Sequence, residues 1–249
     1  MYHKHSCLIS FILSILFVVT AASLPLCAQT FNSGVSKEHA DGVVATIVAR
    51  VAEKLDIGLR MRHAPFARRL VMMKTGDIDI MGGLLKREER TDFIHFVDPP
   101  YVESGRRIFF VRKGEAQRIR SYEDLYGLEI GTKINAKYFS RFDRDENLIK
   151  QPVSSVSQSF KKLMRNRIDA VVYNYRSGYT ELLEMGLAEQ VEPAAYYFEG
   201  DNPVYIGISR QSPLMERKAD VERVVREMVA SGEMSTLIKR FYSYLPGKM

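Results

Sequence analysis

The chain has 249 residues, 46% of them apolar and 27% charged, which suits one large or two small folded domains and excludes a disordered polymer. Its formal charge of +6 is spread along the chain with Asp and Glu mixed in, and no dense Lys/Arg block alternates with aromatics, so nucleic acid is not the expected partner. Cys7 and Cys27 are the only cysteines and no Cys/His cluster has metal spacing, so neither a disulfide framework, nor a metal site, nor a cofactor is expected.

At the N-terminus Lys4 and two histidines precede an apolar run, Cys7 to Thr20, followed by the small residues Ala21, Ala22 and Ser23. A charged start, an apolar core and a small-residue cut site make residues 1–23 a secretory signal peptide, cleaved near Ala22 or Ser23 with Ala28 as the alternative. The run falls short of the ~20 residues that a membrane span needs. Once the signal leaves, Cys27 is the only thiol and no internal disulfide is expected.

Pro25 to Phe31 reads as a first strand, and Asn32-Ser33-Gly34 as a turn. From Val43 the apolar positions Val44, Ile47, Val48, Val51 and Leu55 keep helical spacing until Gly58. Leu59 to Met61 is a second strand. A helix with Leu70 and Met73 on one face follows Ala64-Pro65-Phe66-Ala67 and stops at Gly76, a residue that tolerates the left-handed cap. This alternation builds a mostly parallel α/β sheet.

The stretch Gly76 to Tyr101, GDIDIMGGLLKREERTDFIHFVDPPY, carries the densest chemistry. Ile78, Ile80 and Met81 read as a buried strand, and Gly82-Gly83 as a place where the backbone approaches another group closely. The loop Leu84 to Arg87 leads to Glu88-Glu89-Arg90, and a second strand, Phe93 to Val97, ends at Asp98-Pro99-Pro100 because Pro cannot continue a ladder. Bare backbone beside a loop bearing an arginine suits a small anion. Read without context, the same residues make a core strand, a Gly turn and a solvated charge run.

Beyond Tyr101, strands are expected at Ile108–Val111, Leu128–Thr132, Leu148–Gln151 and Ile168–Tyr173. Ser121 to Asp124 resembles a capping box that opens one short helical turn. YFSRFDRD after the loop Lys133–Lys137 is helical at first, and helices are expected around Val156–Met164 and Tyr175–Met185. Val204 to Ser209 is a strand leading out of this second α/β unit. The tail holds two helices, marked by the stripes Val221/Val224/Val225/Met228 and Met234/Leu237/Ile238/Phe241.

Several runs, in this order and spacing, resemble one family. PFARRLVMMKTGDIDIMGGLLKREER, FVDPPY, SYEDLYGLEIG, KKLMRNRIDAVV, ISRQSPL and the SGEM…LIKRFY tail are together similar to the bacterial extracellular solute-binding proteins of family 3, the amino-acid-type periplasmic binding proteins of ABC importers. The resemblance implies a two-lobed periplasmic binding protein fold (type II) in the α/β class, each lobe a mostly parallel sheet flanked by helices, with the ligand in the cleft between lobes. Lobe 1 would comprise residues 24–102 and 208–249, and lobe 2 residues 103–207. It also implies a monomer in the periplasm, closing on its ligand and delivering it to an inner-membrane permease.

Carried over residue by residue, the resemblance makes Arg90 the clamp for a ligand carboxylate, a role suited to a planar, permanently charged fork. Gly83 faces the ligand with its backbone and Phe66 stacks on it. Leu85 stands where the family has Ser or Thr. Asn135-Ala136-Lys137 replaces Gly-Thr-Thr, and Lys137, facing the cleft, would favour a more acidic ligand. Asn174 stands where amino-acid binders have an Asp for the α-ammonium, and a neutral amide offers no ionic partner. The leading expectation is a non-enzymatic binding protein for a small carboxylate-bearing solute. A stand-alone sensory or partner-binding protein of the same fold is the second. A dehydratase-like enzyme, with Glu88, Glu89 and Lys137 as acid and base candidates, is the third.

Overall fold

The computed structural model describes residues 29–36 and 42–243. The expected signal peptide, both cysteines and the beginning of the expected first strand lie outside the described residues. β1 (Thr30–Val35), α1 (Val43–Lys54), β2 (Gly58–His63), α2 (Phe66–Thr75) and β3 (Ile80–Leu85) follow in order, and β1 pairs in parallel with both β2 and β3. A single turn of helix, α3 (Glu88–Thr91), leads into the long strand β4 (Ile94–Ser104). The chain then builds a second sheet from β5 (Arg107–Arg112), β6 (Glu129–Lys133), α4 (Ser140–Arg144), β7 (Ile149–Val153), α5 (Val156–Met164), β8 (Ala170–Asn174), α6 (Tyr175–Glu184) and β9 (Val191–Phe198). It returns through β10 (Asp201–Ser209) and ends in α7 (Lys218–Ala230) and α8 (Glu233–Phe241).

The strand orders are β2-β1-β3-β10-β4 and β7-β6-β8-β5-β9. Each sheet is parallel except where one strand, β10 or β5, runs antiparallel to both neighbours. β4 and β10 pair with each other in the first sheet and together lead to the second. The expected lobe boundaries, at 102/103 and 207/208, fall within these two strands. Arg106 and Glu199 face each other where the chain passes between sheets, with Nε donating to Oε1 at 2.9 Å.

Both faces of each sheet are covered, so strand residues alternate between two cores. In β5, Phe109 and Val111 join one cluster with Leu125, Ile130 and Phe142, while Ile108 and Phe110 join another with Phe160, Leu163 and Leu182 of α5 and α6. That two-sided burial is why RIFFV is continuously apolar. In the first sheet, α1, α7 and α8 cover one face around Ile47, Val51, Ile208 and Val224, and α2 covers the other around Met73, Leu84 and Ile94.

Four local expectations are corrected. Asn32-Ser33-Gly34 is not a turn but the middle of β1. The carboxylate of Asp79 accepts the Asn32 N–H at 2.6 Å, and Gly34 leaves room that a Cβ would lose, at 2.8 Å from Ile78 Cδ1. Leu84 and Leu85 extend β3 rather than forming a loop. Asp98-Pro99-Pro100 does not end its strand, because β4 is the outer strand of its sheet, where a missing N–H costs no ladder bond. The β4–β10 register shifts there, between Val204 and Ile206. Finally, β9 is an unanticipated strand. It contains Pro193 and lies on the outer edge of the second sheet.

Gly207 of β10 lies between Ile94 and Leu84, and a Cβ there would come within 2.6 Å of a methyl carbon on each. Both neighbours are fully buried, so Gly207→Ala is expected to destabilise the fold by about 1–3 kcal/mol, the usual cost of overpacking. Denaturant titration of the variant checks this, and an unchanged midpoint would show that the β3–β10–β4 packing relaxes freely.

Candidate ligand-binding site

A cavity of about 480 Å³ opens between the two sheets, within the ~300–1,000 Å³ range of small-molecule pockets. All six sequence-derived site residues, Phe66, Gly83, Leu85, Arg90, Lys137 and Asn174, line it. Residues from both sheets face it, and so does the first turn of α1. Gly42, the residue before that turn, makes no side-chain cap and also lines the cavity.

The first-sheet wall is shaped by the two glycines of β3. A Cβ on Gly82 would lie 2.8 Å from Val44 Cγ1 of α1, so its absence lets strand and helix approach. Gly83 has φ +77°, a conformation that L side chains rarely adopt. Its N–H donates to the Tyr101 hydroxyl at 2.9 Å. Burial pushes the Tyr101 phenol well above its ordinary pKa, so it stays protonated.

Arg90 is 4% exposed. Its Nη1 donates to the Leu85 carbonyl at 3.0 Å and its Nη2 to the Asn135 carbonyl at 2.9 Å, joining the two sides of the cleft. Burial draws its pKa down, yet a guanidinium remains charged in proteins. The Leu85 side chain supplies no hydroxyl. Its contribution to the clamp is the backbone carbonyl that orients Arg90. Phe66, half-buried at the start of α2, has the guanidinium carbons of Arg69 and Arg90 at 5.4 and 5.7 Å from its ring centre, in cation–π range.

On the other wall, Lys137 lines the cavity and pairs with Glu89 at 3.4 Å. Burial works to raise the Glu89 pKa, but backbone hydrogen bonding and Lys137 outweigh it and hold the carboxylate below its usual range. Glu88 and Glu89 do not line the cavity. Asn174 caps α6: its Oδ1 accepts the Ser177 N–H at 3.4 Å. Asn174 thus lines the cavity as a neutral amide and brings no charge to it.

Further contacts cross the cleft. Arg87 lies 3.7 Å from Asp143, Asn202 Nδ2 donates to the Tyr138 carbonyl, and Ser177 Oγ and Tyr242 Oη share a hydrogen bond at 3.3 Å.

Three cationic residues on the cavity wall are not among the site residues expected from the sequence: Arg69, Arg107 and Lys133. Arg69 is 7% exposed and donates from Nη1 to the Gly34 carbonyl at 3.3 Å. Its position three residues after Phe66 places it on the same helical face, a usable signal. Arg107 shares a face of β5 with Phe109 and Val111, but alternation alone does not reveal that this end of the strand meets a cleft. No group of three or more His, Cys, Asp or Glu that could hold a metal occurs among the described residues, and there no helix is long and apolar enough to cross a membrane.

The family model for bacterial extracellular solute-binding proteins, family 3, matches residues 23–244. No curated protein matches the sequence. Among solved structures the chain is similar to an ancestral arginine-binding protein bound to arginine (TM-score 0.73, 21% identity, 87% of this chain and 99% of that one). It is also similar to an amino-acid ABC transporter substrate-binding protein of Streptococcus pneumoniae bound to L-arginine (0.73, 17%, 86% and 94%). The GluR0 ligand-binding core in complex with L-glutamate is a third (0.70, 15%, 86% and 99%). At these identities the likeness establishes the fold, a two-lobed mixed α/β architecture.

The Tyr101–Gly83 bond yields a test of the wall. Tyr101→Phe removes the acceptor described for the part-buried Gly83 N–H and is expected to cost about 0.5–1.5 kcal/mol of unfolding free energy. Equal stability by denaturant titration would show that the bond does not hold Gly83 in place.

Proposed function

The chain belongs to the bacterial extracellular solute-binding proteins of family 3, and from that premise we propose that it captures a small carboxylate-bearing polar solute in the cleft and delivers it to an ABC permease of the inner membrane. The observation that carries this reading is Arg90: a buried, charged fork on the cavity wall, held in place by one carbonyl from each side of the cleft. Donors left over on such a fork suit a carboxylate better than any neutral group. Related folds hold arginine, glutamine and glutamate, all of which carry a carboxylate.

In this reading the lobes, 24–102 with 208–249 and 103–207, move about β4 and β10 and close on the ligand, excluding water. The protein works as a monomer in the periplasm after loss of the signal peptide. It binds without catalysis in this reading, which is supported by the place of Glu88 and Glu89, two of the three acid–base candidates, outside the cavity.

A thermal-shift screen of amino acids, di-acids and polyamines identifies the ligand, because a molecule that binds only the folded state raises its melting temperature. Against that ligand, Arg90→Ala is expected to cost about 2–5 kcal/mol of binding, the usual loss on truncating one partner of a buried charge pair. Calorimetry reads the effect, and an unchanged affinity would remove Arg90 from the site.

A further inference from the structure

Arg107 is 7% exposed and lines the cavity, and its side chain makes no hydrogen bond or ion pair among the described residues. The one carboxylate among the groups that act on it, Asp143, is already taken: Arg87 lies 3.7 Å away, and the Tyr138 N–H donates to Asp143 Oδ1 at 2.9 Å. A buried guanidinium without a counter-charge is costly to maintain. Burial accordingly draws the Arg107 pKa down, although it stays charged.

The surroundings add to this charge. Lys133 also lines the cavity, with its Nζ 5.7 Å from the Tyr173 ring centre. Glu184, which is exposed, is the only carboxylate lining the cavity among the described residues. The position suited to an ammonium partner holds Asn174, whose Oδ1 already caps α6.

We propose that Arg107, with Lys133 on the same sheet's side of the cavity, forms a second anion subsite, and that the ligand is a compact dianion, a di-acid with no ammonium group. The inference rests on the carboxylate reading of Arg90 and names the class of solute within it. One carboxylate meets Arg90 and the other meets Arg107 from the second sheet, so a dianion supplies the missing counter-charge and draws the two walls together. An α-amino acid brings an ammonium for which the cavity wall offers only the exposed carboxylate of Glu184 among the described residues. Arginine, the ligand of two similar folds, would add a second cation to a basic cavity.

Matched pairs test this on the purified protein: butyrate against succinate, pentanoate against glutarate and hexanoate against adipate, with L-glutamate and L-arginine as further arms. Calorimetry is expected to show at least one di-acid binding about 10- to 100-fold tighter than its mono-acid, the range for hydrogen bonds to a charged group. Arg107→Met should erase that difference by weakening di-acid binding more than mono-acid binding, and Arg107→Lys should keep part of it. The ligand-free Arg107→Met variant should melt no lower than the parent, since it loses an unpaired buried charge. A clear fall in its melting temperature would assign Arg107 to the fold and overturn the proposal. So would a di-acid advantage that survives Arg107→Met, or tighter binding of L-glutamate or L-arginine than of any di-acid. If mono-acids and amino acids bind through Arg90 while di-acids gain nothing, only the dianion inference falls. If no carboxylate binds in an Arg90-dependent way, the parent reading falls with it.

Discussion

A guanidinium removed from water must have its charge answered, and this cleft buries three: Arg69, Arg90 and Arg107. For Arg90 the protein's own answer is a pair of dipoles, the carbonyls of Leu85 and Asn135. Carbonyl oxygens orient a guanidinium and satisfy its donors, but they do not neutralise it. The result is a polar, preorganised and under-compensated pocket, and such a pocket favours an anion because the desolvation cost is borne before the ligand arrives. Arg90 adds a mechanical consequence. Its two carbonyl acceptors sit on opposite walls, so its orientation and the approach of the lobes are one event.

The first-sheet wall depends in turn on a buried acid remote from the ligand. Asp79 accepts the Asn32 N–H with one oxygen and the Ser212 hydroxyl with the other, each at 2.6 Å. It thereby ties β1 and the chain leaving β10 to the base of β3. From that base β3 runs past α1 at Gly82 and reaches Gly83, which Tyr101 of β4 holds from the side. Neutral hydrogen bonds, the missing Cβ of Gly82 and the positive φ of Gly83 thus set the wall, while the charged residues are mounted on it. This division explains how a site rich in cations stays ordered, since none of these supports competes with the ligand for charge.

Most of this architecture could be read from the sequence because the signals were local. Helical stripes marked α1, α2, α7 and α8, and apolar runs marked β5, β6 and β8. The failures have tertiary causes. Asn32-Ser33-Gly34 has turn composition, but Asp79 and the packing of Ile78 over Gly34 draw it into a strand. β9 hides behind Pro193 and half-exposed positions, both allowed at a sheet edge. In the site, a spaced motif led to Arg90, Gly83 and Phe66. Arg69 was recoverable from its distance to Phe66. Arg107 was not, because only the crossing of the chain between sheets places the end of β5 beside the cleft. The Lys137–Glu89 pair joins residues of different lobes, which no local pattern encodes.

The departures from amino-acid binders become coherent once Asn174 is seen as a helix cap. An Asp there could also cap α6 while keeping charge for an ammonium; an Asn caps the helix and offers no charge. Leu85 similarly withdraws a hydroxyl from the ligand yet retains the backbone carbonyl that steers Arg90. Each change removes an acceptor or a neutral donor from the cavity and leaves the cations in place. Discrimination is a difference of two binding free energies, and penalising the unwanted ligand is as effective as favouring the right one. The unpartnered Arg107 penalises any cationic group lodged beside it, through repulsion at low dielectric, and the same charge favours an anion in that position. Selection against an ammonium and selection for a second carboxylate are therefore one electrostatic property of the second wall.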